Sequence, residues 1–189
     1  MSTHRPDIAF IPTPADAIEA MLDLAEVTAQ DTLYDLGCGD GRLLIRAAQR
    51  CGCRGVGIDI DPAQIEAAQA GAAAAGMSDR ITFRQGNLYE SDFADATVVA
   101  LYLLPHLNLR LRPRLLAQLR PGSRIVSHQF DMGDWAPDRI VTLSPSEEDS
   151  TLYLWTIPLA PSPEHLPEHL PEHLPGQLAP GSHAAYEQV

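Results

Sequence analysis

The 189-residue sequence contains no lysine: all 13 of its basic residues are arginines. The last of them is Arg139, so the 50 residues that follow carry seven acids and no cation. Through Arg139 the balance is 18 acids against 13 arginines, or −5; the remainder supplies −7 of the formal −12. Arginine-favouring codon usage is the simplest account of the missing lysine. A net acidic chain repels phosphate backbones, which argues against nucleic acid as a partner. The sequence also lacks an apolar run of the ~18 residues that read as a membrane span, so no stable membrane insertion is expected. The first twelve residues have no long apolar core of the kind a secretory signal needs. Cysteine is scarce, at Cys38, Cys51 and Cys53. An odd number at these spacings suits neither a disulfide framework nor a zinc site, and no metal is expected. Free thiols and no export signal point to the cytoplasm.

What is present is enough for one domain. At 45% hydrophobic residues the chain can build a core. Residues 14–25 repeat apolar positions at helical spacing, with Thr13 as the expected cap and Pro14 at the first helical position. Strands are expected at 32–36, 56–60, 81–84, 96–101, 123–127, 139–143 and 151–157, and further helices at 42–50, 62–75 and 107–119. Asp61 is the expected cap of the third helix and Gly76 its stop, while Pro113 is expected to interrupt the fourth. Strand and helix alternate and two strands close the order. This predicts an α/β, three-layer Rossmann-like fold: a mostly parallel seven-stranded sheet with an antiparallel edge strand. Residues 1–158 form this domain. Beyond it, Glu-His-Leu-Pro occurs three times between Glu164 and Pro175. A proline every fourth residue forbids a helix, so 159–189 is expected to be a disordered Pro/Glu/His-rich tail, its His165, His169 and His173 at most loose metal ligands.

The informative stretch is Leu33-Tyr34-Asp35-Leu36-Gly37-Cys38-Gly39-Asp40-Gly41. Three glycines alternate between a strand and a helix, where a tight turn lets a ligand approach the backbone. A dinucleotide fingerprint needs its third glycine one place later, where this chain has Arg42. Asp35 and Asp40 flank the loop; carboxylates there are unfavourable beside a pyrophosphate and suitable beside a cationic ligand. That favours S-adenosylmethionine over a nicotinamide dinucleotide. Asp59, at the end of the second strand, can accept both ribose hydroxyls of an adenosine. Asn87, after the third strand, can bond an adenine edge, with Leu88 or Ile60 against the ring.

These residues carry a resemblance. Asp35 to Gly41, with Asp59 downstream, resembles the cofactor motif of class I S-adenosylmethionine-dependent methyltransferases. Phe10-Ile11-Pro12-Thr13-Pro14, Tyr34 through Arg42, Leu101-Tyr102-Leu103-Leu104-Pro105 and Ser127-His128-Gln129-Phe130 are similar to the small protein-lysine methyltransferases. That family includes archaeal broad-specificity enzymes and mitochondrial enzymes acting on the ATP synthase c subunit. The resemblance implies S-adenosyl-L-methionine as cofactor. Thr13 would close over its methionine part, Asp35 and Gly37 lie near its amino and carboxylate groups, Asp59 holds the ribose, and Asn87 with Leu88 hold the adenine; Gly39 and Ile60 complete the candidate cofactor residues. Asn87 stands where class I enzymes commonly have aspartate; an amide still offers a donor and an acceptor.

Methyl transfer is an in-line displacement in which the cofactor carries the reactive group, and the protein aligns and desolvates the acceptor. Tyr102, after the fourth strand, is a candidate to orient an amine or to wall a developing cation. His128 is a candidate proton acceptor near neutrality. Asp131 or Asp134 can attract an ammonium, with Phe130 and Trp135 along its methylenes. His106 and the patch Arg110, Arg112 and Arg114 are weaker candidates, the latter a solvated face or a partner contact. The expected activity is N-methylation of an amine, foremost a protein lysine. The alternatives are a small-molecule N- or O-methyltransferase, a nicotinamide-dependent oxidoreductase and a noncatalytic scaffold. A monomer or weak homodimer is expected.

Overall fold

The computed structural model describes residues 11–144 and 149–158. The expectation of a disordered tail lies outside the described residues. The elements run α1 (Ala15–Leu24), β1 (Thr32–Leu36), α2 (Arg42–Cys51), β2 (Arg54–Asp59), α3 (Pro62–Ala74), β3 (Ile81–Gln85), β4 (Val98–Leu101), α4 (Pro105–Gln118), β5 (Arg124–His128), β6 (Arg139–Leu143) and β7 (Ser150–Thr156). The strands form one sheet in the order β3-β2-β1-β4-β5-β7-β6. Neighbours from β3 through β5 pair in parallel, and β7 pairs antiparallel with both β5 and β6. The single reversed strand is therefore β7, inserted between β5 and the outermost β6.

Alternation along the strands divides the core into two layers. Leu33, Val98, Ala100 and Val126 face one side, where they meet α1, α2 and α3 through residues such as Met21, Leu44 and Ile65. Tyr34, Leu36, Val99, Leu101 and Ile125 face the other, where Leu107, Leu111 and Leu115 of α4 cover them. Side chains two apart along a strand share a face. By the same parity Asp35 belongs to the α1–α3 side and Ser127 to the α4 side.

Two local expectations change. Thr13 does not cap α1; Pro14 occupies the cap position with no side-chain bond, and Asp16 takes the Ala17 N–H at 2.8 Å instead. Helix α4 is not interrupted at Pro113, which lies inside it on an exposed position. The carbonyl that a proline leaves unbonded, four residues back at Leu109, belongs to a residue that is itself 47% exposed, so water can satisfy it. Asp61 does cap α3, accepting the Ala63 N–H at 2.9 Å, and Gly76 follows the helix with φ +68°. Among the described residues no helix is long and apolar enough to cross a membrane.

Leu111 is fully buried at the centre of the α4 layer. Leu111→Ala is expected to cost about 2–5 kcal/mol in urea unfolding; a loss below about 1 kcal/mol would contradict this packing.

Candidate active site

The chain builds outward from β1 to β3 on one side, then returns to lay β4 against the other flank of β1. Carboxyl ends of parallel strands open a crevice at such a reversal. The loop after β1 enters it. Gly37, Gly39 and Gly41 all take positive φ, at +88°, +50° and +76°, a region open to glycine and strained for other residues. Gly37 and Cys38 both donate their N–H groups to the Ile58 carbonyl, at 2.8 and 3.1 Å, which folds the loop back over β2. At Gly41 space also decides: a Cβ would lie 2.6 Å from the Phe83 ring. The Cys38 thiol is buried, and burial, followed by the charges of Asp35 and Asp59, pushes its pKa far up, so it stays protonated.

Three carboxylates surround this loop and differ in their partners. Asp59 accepts the Gly39 N–H at 2.9 Å on one oxygen and the Asp61 N–H at 2.9 Å on the other. Asp40 is held by Arg42, whose Nε and Nη2 approach it at 3.0, 3.1 and 2.7 Å. The expectation that Asp35 and Asp40 together await a cation is thus corrected, because Arg42 already neutralises Asp40. Asp35 is 7% exposed, and among the described residues no cation pairs with it. Burial first, then the charges of Asp59 and Asp40, pushes its pKa up to about 7. An isolated buried carboxylate is costly unless a partner arrives.

Two hollows lie at the carboxyl ends of the strands. The first, about 30 Å³, is lined by Thr13, Met21, Asp35, Gly37, Arg42 and Tyr102 among others. The second, about 210 Å³, is lined by Ile60, Gln85, Gly86, Asn87 and Glu90. Asp59, at the end of β2, lines neither hollow; its carboxylate bonds the β1 loop, and its backbone carbonyl accepts the N–H of Gly86, which lines the second, at 2.8 Å. Asn87 already uses both ends of its amide, accepting the Tyr89 N–H at 3.0 Å and donating to Glu90 at 2.9 Å. Leu88 is half-buried against the α4-side core and does not line the hollow, whereas Ile60 does. Thr13, Asp35, Gly37 and Tyr102 are therefore brought together at one hollow, and Ile60 with Asn87 at the other.

On the acceptor side, Tyr102 follows β4 and packs its ring 4.2 Å from that of His128 and 6.5 Å from that of Phe130. His128 is fully buried; its Nε2 lies 2.8 Å from Ser150 Oγ and its Nδ1 has no partner. Burial pushes its pKa down to about 4, against a smaller opposing pull from Asp16. The expected proton acceptor near neutrality is thus a neutral ring behind Tyr102, because no water reaches it to stabilise a charge. Asp131 is exposed and takes the Gly133 N–H at 3.0 Å. Asp134 is exposed and paired with Arg112, which holds its carboxyl below the ordinary range. Trp135 accepts the Trp155 indole N–H on its carbonyl at 2.8 Å. His106 sits exposed in the first turn of α4. Sequence reasoning missed Asn108 and Gln129. Asn108 is a fully buried amide on α4, and Gln129 is a non-glycine residue at φ +68° beside His128. An asparagine amid the leucines of a helix was the available signal for the first.

Residues 35–139 match the ANTKMT methyltransferase domain family. A protein-lysine N-methyltransferase of Saccharolobus islandicus (strain REY15A) is 37% identical over 156 residues, 82% of this chain and 97% of that protein. The adenine nucleotide translocase lysine N-methyltransferase of Mus musculus is 30% identical over 138 residues, 72% of this chain but 59% of the mouse protein. Among solved structures, one described as an RNA methyltransferase from Salinibacter ruber in complex with S-adenosyl-L-homocysteine is 53% identical with a TM-score of 0.75. It covers 86% of this chain and 100% of its own. A crevice at the sheet reversal, a triple-glycine turn and a buried carboxylate awaiting a cation agree with that relationship: the chain belongs to the ANTKMT methyltransferase domain family and is an S-adenosylmethionine-dependent methyltransferase.

Proposed function

We propose that the chain transfers a methyl group to the side-chain amine of a protein lysine. The residues fit the cofactor: Asp35 is a buried carboxylate lining the first hollow, the arginine that shares that lining, Arg42, is paired with Asp40, and S-adenosylmethionine is cationic. When bound, that cofactor supplies a methyl on a positively charged sulfur, open to attack by a neutral amine. Asp35 answers the cofactor's positive charge. Thr13 and Gly37 border the same hollow, Gly39 and Asp59 fix the loop edge, and Ile60 with Asn87 border the larger hollow that takes the adenosine end. Tyr102 stands at the junction of the cofactor hollow and the acceptor side, where its hydroxyl orients the incoming amine. His128 keeps the Tyr102 ring in place by packing against it. Exposed Asp131 draws a cationic side chain toward the mouth, and the amine gives its proton to solvent before attack.

The observation that carries the choice of acceptor is the state of the arginines nearest the site. Arg42 is bound to Asp40, and Arg112 to Asp134 and the Met132 carbonyl. Both are already paired with a carboxylate, and Asp131 in the turn after β5 adds an exposed acid. Kinship with the Saccharolobus lysine methyltransferase over nearly its full length supports the same reading. The name of the Salinibacter structure supports a second one, methylation of RNA. Labelled S-adenosylmethionine supplied with polylysine in one tube and total RNA in another separates them. Label in polylysine alone is expected; label in RNA alone reverses the assignment.

Two further outcomes follow from the site. Tyr102→Phe is expected to lower kcat about tenfold while cofactor affinity stays within about twofold; equal losses in both would remove Tyr102 from the acceptor role. Between its ordinary 3.8 and about 7, folded Asp35 keeps a proton that the unfolded chain has lost. The ligand-free protein therefore loses stability from this group as pH rises across that window. A cation bound beside Asp35 favours its ionised form, so cofactor affinity should rise from about pH 5.5 to about pH 7.5. Calorimetry on Asp35→Asn should show that slope flattened and affinity reduced; an unchanged slope would place the titration elsewhere.

A further inference from the structure

Helix α4 touches both halves of the site, through different rows of side chains. On one row Asn108 is fully buried. Its Nδ2 lies 3.3 Å from the carbonyl oxygens of both Phe130 and Asp131 and 3.4 Å from Ser127 Oγ. Ser127 in turn donates to the Phe130 carbonyl at 2.7 Å. Asn108 Oδ1 is buried with no partner. A buried unsatisfied oxygen is costly, and a leucine would fill this place without it. What the amide holds explains its presence. Gln129 has φ +68°, and the Phe130 N–H bonds the His128 carbonyl across it at 2.9 Å. A three-residue turn with a positive central φ is the rare, strained γ-turn. Gln129 pins the far side of this turn, accepting the Thr151 N–H at 2.9 Å and donating to the Asp149 carbonyl at 3.0 Å. The turn fixes the Phe130 ring against Tyr102.

On the other row Arg114 donates to the Ser91 carbonyl at 2.9 Å, and Gln118 reaches the same oxygen at 3.3 Å. Gln118 also accepts the Phe93 N–H at 2.9 Å. Ser91 donates its hydroxyl to the Asn87 carbonyl at 2.8 Å, and Asn87 lines the larger hollow. Arg110 lies over the Tyr89 ring, 3.9 Å from its centre. The arginine patch of this helix is thus spent inward, on two loops, and is not a bare solvated face.

We propose that α4 is a two-sided brace in which Asn108 is the positioning residue for the acceptor turn and Arg114 the positioning residue for the adenosine-side loop. This rests on the reading above of which hollow takes the adenosine and which side takes the acceptor. Each acts through the backbone it holds: Asn108 through Phe130 and Asp131, Arg114 through Ser91 to Asn87. Because the rows are separate, the two residues govern different kinetic quantities.

The test compares Asn108→Leu and Arg114→Met in the full chain, with Asn87→Ala as a control on the site itself. S-adenosyl-L-homocysteine affinity is read by calorimetry, turnover on polylysine at saturating cofactor, and backbone amide exchange at Gln129 and Phe130. Arg114→Met should weaken S-adenosyl-L-homocysteine about tenfold with turnover and exchange within about twofold of the parent. Asn108→Leu should do the reverse, with turnover about tenfold lower, exchange about tenfold faster and affinity within about twofold. Parallel losses of affinity and turnover in both variants, or no change in either, overturn the brace. If Asn87→Ala leaves affinity unchanged, the assignment of the adenosine hollow fails instead, while amide exchange still decides the Asn108 arm. Should Asn108→Leu fail to fold, Ser127→Ala removes the second bond to the Phe130 carbonyl and must give the same split.

Discussion

A carboxylate buried without a cation is the constraint on which the site depends. Asp35 ends the apolar run of β1 on the α1–α3 face, and its two acidic neighbours add to the cost of ionising it. Both neighbours are occupied elsewhere, Asp40 by Arg42 and Asp59 by two backbone N–H groups. The unmatched negative charge is therefore localised at one place, facing one hollow. A buried carboxylate with a raised pKa in a crevice marks a candidate site, and a cation arriving beside it offsets the desolvation cost. A ligand carrying fixed positive charge on sulfur fits that requirement, and a pyrophosphate does not.

The remaining geometry follows from keeping that carboxylate reachable. The glycine turn bends back over β2, close enough to Phe83 that a side chain at Gly41 would collide, and so leaves the end of β1 uncovered. The reversal of strand order sets β4 beside β1, which brings Tyr102 to the hollow that Asp35 lines. The antiparallel return of β7 supplies Ser150 to His128 and Thr151 to Gln129, closing the acceptor side. The proposed cofactor residues thus follow β1, β2 and β3, with Thr13 ahead of α1, and the proposed acceptor residues follow β4 and β5.

Local signals made most of the fold legible. Alternating glycines after a strand, an aspartate before Pro62 and apolar runs bounded by polar residues each act over a few residues, and the corresponding elements lie where the sequence places them. The limits β1 Thr32–Leu36 and β6 Arg139–Leu143 coincide with expectation. Errors arose where a local rule met a tertiary one. Pro113 stays in its helix because its face is solvated, and Thr13 lines the hollow beside Asp35 while Pro14 takes the cap position. The site was legible as a set of residues but not as a set of charge states. Arg42 taking Asp40 is a contact two residues apart that the sequence permits without requiring. The depth of His128 depends on β7 and Ser150, 22 residues on, and Asn108 reads as a polar interruption until its partners 19 to 23 residues away are known.

The charge of Asp35 is directly measurable. Carbon-13 labelling of aspartate allows the Asp35 carboxyl resonance to be followed through a pH titration, with and without S-adenosylmethionine. The expected midpoint is about 7 in the free protein, falling by more than about one unit when the cofactor is bound. A midpoint in the ordinary carboxylate range without ligand, or one that the cofactor leaves in place, would contradict it.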